Sequence, residues 1–397
     1  MKYIVIIILS FFWGANKPNK TTQLSDSQRI GTTPRFTTDQ QGNPVLSWAE
    51  KDEATKKNHF FFAISKDGGN TFSDKIAVRL PENYSVHAEG MPKVAFKKSG
   101  EILATFEVSK PTEKAPRASN FYFVSSRDGG KTWSEPQTIH DDQTAGKGHS
   151  FGEIATLPDG QIGFVWLDDK LGKYEGRSVK FRQTLPNGKL SPEVVVDSNA
   201  CQCCRTNLFV DNNQNYHILF RDLLADGSRD ISHVVSKDGG KTFSQFKTVF
   251  DDKWKINACP HTGPGITQVG GNLYATWFTG KENEAGVRLS KIGSGQLMDK
   301  MVNNRVKHPQ VGALNDKLIL VWDQSMQKEE KFFTKIGLKV FEKDGSFKED
   351  WITPDFMVST YPVVLASGKD LLIAYEQKKE ATGNSVIIVQ RLSDFKM

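Results

Sequence analysis

Ser65-Lys66-Asp67-Gly68-Gly69-Asn70-Thr71-Phe72 returns as Ser126-Arg127-Asp128-Gly129-Gly130-Lys131-Thr132-Trp133, and again as Ser236-Lys237-Asp238-Gly239-Gly240-Lys241-Thr242-Phe243. The interval from Asp128 to Asp238 is nearly twice that from Asp67 to Asp128, so it holds two lengths of one repeat. Asp-Gly-Gly makes a hairpin turn tolerant of positive φ. The Asp and Thr side chains satisfy turn amides, and the aromatic residue packs beneath. Weaker turns fill the same place elsewhere, at Pro186-Asn187-Gly188, Gly293-Ser294-Gly295 and Asp344-Gly345.

Outward from these turns a longer unit recurs. A short strand, a polar turn and a second apolar strand ending on an aromatic residue occupy 34–48, 92–106, 152–166, 206–220, 264–277, 309–322 and 362–375. The closing aromatics are Trp48, Phe106, Trp166, Phe220, Trp277, Trp322 and Tyr375. The copies follow one another at a near-constant spacing, and no stretch reads as a long amphipathic helix. Four short strands in each such interval is the arithmetic of a β-propeller blade. The fold expected is all-β: a single propeller of seven blades. The last copy stops after its third strand, so residues 28–32 are the candidates for the missing edge.

The Ser-x-Asp-x-Gly-x-Thr-aromatic motifs resemble the Asp-box (BNR) repeat of the sialidase superfamily, over roughly residues 28–395. That resemblance implies six blades, against a repeat count of seven. It also implies that Asp67, Asp128 and Asp238 are structural and lie away from any active site. A sialidase resemblance further implies three arginines on a sugar carboxylate, a tyrosine nucleophile with a glutamate partner, and an acid/base aspartate. The matching positions are Arg35, Arg205 and Arg305, Tyr361, Glu153 and Asp52. Arg35 follows its proline, where the family's first arginine precedes it.

The ends and the charge narrow the setting. Residues 3–13 form an apolar run behind Met1-Lys2, too short to span a bilayer and shaped like an export signal. The expected division is an export signal over 1–15, a linker over 16–27 and the propeller over 28–397. Ala15 stands where a lipoprotein signal carries its lipidated Cys, so a periplasmic or cell-surface place in a bacterial envelope is expected, without lipid. No later segment is long and apolar enough to cross a membrane as a helix. A net charge of +6, with no run of five basic residues, gives no nucleic-acid footprint. No Gly-x-Ser-x-Gly elbow, His-Glu-x-x-His or phosphate-cradling Gly-Lys-Ser/Thr loop is present, so no nucleotide cofactor is expected.

All four cysteines fall just ahead of inner strands, at Asn199-Ala200-Cys201-Gln202-Cys203-Cys204-Arg205 and Asn257-Ala258-Cys259-Pro260-His261. The two Asn-Ala-Cys triplets, starting at Asn199 and Asn257, are one repeat length apart. His87, His149, His261 and His308 fall in equivalent mouths. These side chains are expected to converge on one funnel. Three readings compete: two disulfides, since export and an even cysteine count allow them; a soft-metal site; or hydrogen bonding to a glycan or peptide. The metal reading takes ligands from Cys201, Cys203, Cys204, Cys259, His261, His149 and His87, with Met91 in reserve. It prefers copper over zinc, because the donor set is soft and Cys-x-Cys-Cys matches no closed zinc finger. The function expected is an exported bacterial envelope propeller that binds a soft metal at the channel mouth, as a metal-handling or partner-binding module, with an envelope protein or a glycan as the candidate partner. A sialidase-like exo-glycosidase is the alternative, and a metal-free glycan- or protein-binding propeller with disulfides is the third.

Overall fold

The structure is a computed structural model that describes residues 20–81, 83–379 and 383–393. The export signal expected over 1–15 lies outside these residues. The described chain is all strand, turn and loop, with no helix. Each repeat becomes an antiparallel sheet. Ile30–Thr38, Pro44–Lys51, Asn58–Ile64 and Ile76–Val78 form the first. In the second, Tyr84–Ser85 and Lys93–Phe96 share the partner Ile102–Ser109, followed by Ser119–Ser126 and Gln137–Thr138. The third runs Ser150–Thr156, Ile162–Leu167, Arg177–Gln183 and Val194–Ala200. The fourth runs Asn207–Val210, Tyr216–Arg221, Ile231–Ser236 and Lys247–Thr248, and the fifth Gly265–Val269, Asn272–Thr279, Gly286–Lys291 and Leu297–Val302.

The count of separate blades differs from the expected seven, and from six. Five sheets stand alone, and the last two repeats are joined into one eight-stranded sheet. Its halves are Val306–Leu314 to Phe347–Trp351 and Val358–Ser367 to Val386–Leu392. One parallel bridge, Thr334 to Val358, links them. The cause is strand length: Lys317–Lys328 and Lys331–Phe341 run 12 and 11 residues, long enough to reach the neighbouring repeat.

The closing edge is also corrected. It comes from Lys20–Gln23, inside the stretch read as a linker, and not from residues 28–32. Those four residues pair antiparallel with Ile388–Arg391, so both ends of the described chain share one sheet and that edge is covered.

Apolar side chains hold neighbouring sheets face to face. Phe60 and Phe62 of the first sheet pack with Phe96 and Phe106 of the second. Equivalent clusters join each sheet to the next, ending with Leu46, Trp48, Ala374 and Val389 between the first and the eight-stranded sheet. The aromatics that end the second strands are the anchors: Trp48, Phe106, Trp166, Phe220, Trp277, Trp322 and Tyr375 are at most 2% exposed.

The Asp boxes sit at the end of the sheets opposite the inner-strand starts. In each, the Asp carboxylate accepts the Thr amide and hydroxyl; for Asp128 these are Thr132 N at 2.9 Å and Oγ1 at 2.6 Å. The Ser hydroxyl reaches the same carboxylate and accepts the second Gly amide. That second glycine touches the neighbouring sheet. A Cβ on Gly69 would lie 2.3 Å from Leu372, and one on Gly240 2.4 Å from Phe181. Gly239→Ala, at φ 75° with open space around it, should cost about 1–2 kcal/mol from the left-handed backbone alone. Gly240→Ala should add about 1–3 kcal/mol of overpacking. Urea midpoints of the two variants would read the difference; equal losses would mean that the glycine does not seat one sheet on the next.

Candidate metal centre at the channel mouth

Inner strands begin, and second strands end, at the same face. Four inner strands break register there, between Thr32 and Arg35, Ser150 and Glu153, Lys307 and Gln310, and Thr360 and Val363. At each break a non-glycine residue takes positive φ: Thr33 (55°), Phe151 (57°), His308 (48°) and Tyr361 (53°). Such bulges re-aim side chains. Three of these residues donate their amides to a carboxylate of the preceding repeat: Thr33 to Glu376 (2.8 Å), Phe151 to Glu107 (2.6 Å) and Tyr361 to Asp323 (2.8 Å). The acceptors each follow a buried aromatic, as Phe106-Glu107, Trp322-Asp323 and Tyr375-Glu376. Sequence reasoning used the aromatics and passed over these acids, although an acid one or two places after the aromatic recurs in most copies.

The two Asn-Ala-Cys loops meet. Cys201 N donates to the Arg221 carbonyl (2.8 Å), and the Arg221 guanidinium donates to the carbonyls of Thr262 and Phe278. Glu89 crosses from the second sheet and accepts both Arg205 N (3.0 Å) and Arg205 Nη1 (2.6 Å). Gly263 lies so close that a Cβ there would meet Arg205 Cγ at 2.3 Å. The loops are thus stapled side by side.

Their ligand atoms form two groups. In one, Cys201, Cys203 and Cys204 place their sulfurs within 4.8 Å of one another, all buried. In the other, Cys203, Cys259 and His261 do the same, and Cys259 and His261 are exposed. All four cysteines are free thiols, so the disulfide reading finds no bond here. Hydrogen bonds from Cys203 and Cys204, with Arg221 and Arg229 close by, hold the Cys201 thiol far below its usual pKa. The Cys201 bond pushes Cys203 up, and burial pushes Cys204 up to about 12. Arg229 Nη1 donates to Cys201 Sγ at 3.2 Å, and Arg117 Nη1 to Cys259 Sγ at 3.9 Å. The chemistry on offer is a soft, sulfur-lined cup with arginines beside it.

Other expected ligands are placed elsewhere. His149 turns into its own sheet: Nδ1 pairs with Asp168 Oδ2 (2.8 Å), and the ring stacks on His140 at 3.5 Å. It joins neither sulfur group. His87 lies edge-on to His261, centroids 4.9 Å apart, but its Nδ1 accepts the Glu89 amide (3.0 Å). The neutral ring therefore carries its proton on Nε2, which removes that lone pair from coordination. Met91 offers its carbonyl to Lys93 Nζ.

The residues matching the sialidase pattern are tied up among themselves. Arg35 Nη2 donates to Glu153 Oε2 (2.7 Å), and Arg205 is held by Glu89, so each arginine already has a carboxylate. Glu153 pairs with Arg35 and not with Tyr361. Tyr361 stacks on His308 at 3.9 Å, and His308 Nδ1 pairs with Asp323 at 2.6 Å. Arg305 is exposed, and Asp52 caps the Ala54 and Thr55 amides of its own turn.

Residues 61–259, half of the chain, match the family described as BNR repeat-like domain. The chain belongs to that family. Its Asp-box turns and propeller sheets are those of a BNR-repeat protein with the sialidase-superfamily fold. No curated protein sequence matches this BNR-repeat chain. Among solved structures it is similar to a protein of unknown function from Dyadobacter fermentans (15% identity, 94% of this chain and 97% of that one, TM-score 0.52). It is similar also to the leech intramolecular trans-sialidase (10%, 96% and 71%, 0.54) and to the BP39L lectin of Burkholderia pseudomallei (9%, 95% and 98%, 0.58). At these identities the likeness is one of fold. Among the described residues no helix is long and apolar enough to cross a membrane.

One of the carboxyls that hold the mouth is shifted into the neutral range. Burial pushes Glu376 up to about 7 from an ordinary 4.5. A carboxyl raised on folding favours its neutral form. Its stabilising contribution is complete below pH 4.5 and is lost as pH rises through about 7. Glu376→Gln keeps an oxygen for Thr33 N and cannot ionise. Thermal melts of this BNR-repeat protein should fall between pH 5 and 8, and the variant's curve should be flatter, with the higher Tm at pH 8. Parallel curves would show that Glu376 ionises as freely folded as unfolded.

Proposed function

We propose that this propeller binds a soft metal ion, copper(I) in preference to zinc, at its channel mouth through Cys201, Cys203, Cys204, Cys259 and His261. The observation that carries the reading is the close grouping of three buried thiols with a fourth cysteine and a histidine from the next repeat. The three sulfurs gather on one loop under Phe151, and the fourth cysteine and the histidine come from the loop of the next repeat. Thiolate and imidazole are the donors that soft ions select. Arg229 at Cys201 favours that sulfur's anionic form, which is the form that ligates. The export-like N-terminal sequence supports a setting in a bacterial envelope, where the protein would handle the metal or present it to a partner protein or glycan.

The glycosidase alternative rests on Tyr361 at the mouth, flanked by Asp323 and Glu376. Against it, Glu153 and Glu89 neutralise the two arginines that a sugar carboxylate would need. The metal-free glycan-binding reading, with disulfides, rests on the fold it shares with the lectin.

The reduced protein, loaded anaerobically and desalted, should carry copper by elemental analysis, with free thiols falling as the metal binds. Cys203→Ser should lose it. Retention of all thiols and no metal after loading would end the metal reading. Release of the fluorophore from a fluorogenic sialoside would instead favour the glycosidase, and glycan-array binding without metal the third reading.

A further inference from the structure

Resting on that soft-metal reading, we propose that the mouth takes two ions, bridged by the Cys203 thiolate, with a retained inner site and an exchanging outer one. Metal–sulfur bonds of about 2.3 Å put two ligands of one ion at most about 4.6 Å apart. Each trio, with its donor atoms within 4.8 Å of one another, is close to the size of one coordination shell and needs only small side-chain shifts to reach it. The five donors do not form one such group; Cys203 alone belongs to both. One ion could serve either trio but not both at normal bond lengths. A thiolate sulfur has lone pairs for two soft ions, whereas the imidazole of His261 offers one.

The trios differ in a way that gives each a role. The inner trio is all sulfur, with Cys201, Cys203 and Cys204 at most 4% exposed and Phe151 packed against them. The outer trio mixes sulfur with imidazole, and two of its three ligands are exposed. An ion arriving from solvent meets Cys259 and His261 first. Transfer inward passes through Cys203, the donor common to both shells.

Charge selects the ion. Four thiolates carry four negative charges once their protons have left to solvent. Two monovalent ions leave two, which face Arg229 and Arg221 at Cys201, Arg177 near Cys203 and Arg117 at Cys259. Two divalent ions would neutralise the sulfurs and leave this surplus of guanidinium charge beside the metals. The surroundings favour a monovalent thiophilic ion such as Cu(I).

The test is an anaerobic Cu(I) titration of the reduced full chain against a competing chelator, with thermal melts of each apo variant to confirm folding. Two ions per chain are expected, the second weaker than the first by tenfold or more. Cys259→Ser and His261→Gln should each keep one tightly held ion. Cys201→Ser should keep one weakly held ion, and Cys203→Ser should lose the tight ion and the bridge together. His87→Gln should still take two, because its coordinating nitrogen is protonated. If the wild type saturates at one ion, and Cys201→Ser and Cys259→Ser each abolish it, the site is a single shell: the bridge is refuted and the metal reading stands. If no ion binds, both fall.

Discussion

The amide of a residue held at positive φ, given to a carboxylate of the preceding repeat, is the interaction on which the channel mouth depends. Thr33, Phe151 and Tyr361 each carry a backbone cost of roughly 1–2 kcal/mol to sit there. Each offsets it through a hydrogen bond to an acidic side chain, strengthened by a setting with little competing water. The same bond fixes one repeat against the next and bends the inner strand, so that its side chain is re-aimed out of the strand's regular alternation. Without it the strands would run straight to the rim, and their side chains would alternate between the two sheet faces.

Where the fourth and fifth sheets meet, that device gives way to arginine. Arg205 and Arg221 are both buried; the first acts on a carboxylate and the second on backbone carbonyls. Arg205 locks to Glu89 across the channel, and Arg221 ties its own strand to Thr262 and Phe278 while lying over Trp254. A planar fork that reaches several carbonyls at once suits this task, and a lysine could not replace it. The chain has put cations where its thiols cluster, and the thiols are tuned by that choice.

The propeller was legible because its repeat is written in residues that the fold cannot do without: a turn that needs Gly at positive φ, and an aromatic that must fill the gap between sheets. The meeting of the two cysteine loops was legible for the same reason, since Cys201 and Cys259 stand one repeat apart. What stayed hidden has physical causes too. Lys20–Gln23 is a strand by backbone pairing alone, polar and mostly exposed, so it carries no alternation to read. The fusion of the last two repeats depends on how far a hairpin extends, which composition does not encode. His149 stands in register with Cys203 and His261 of the later copies, yet Asp168 draws it into the sheet. Arg117 and Arg229 reach the sulfurs from loops far off in sequence, where no local pattern marks them.

Ring closure gives the molecule a front and a back. Lys20 pairs with Arg391, and both reach Asn70 in the first Asp box, on the side away from the thiols. The described chain therefore enters and leaves on the back, beside the Asp boxes, and the strands that run from there carry the sulfur cup at their far end.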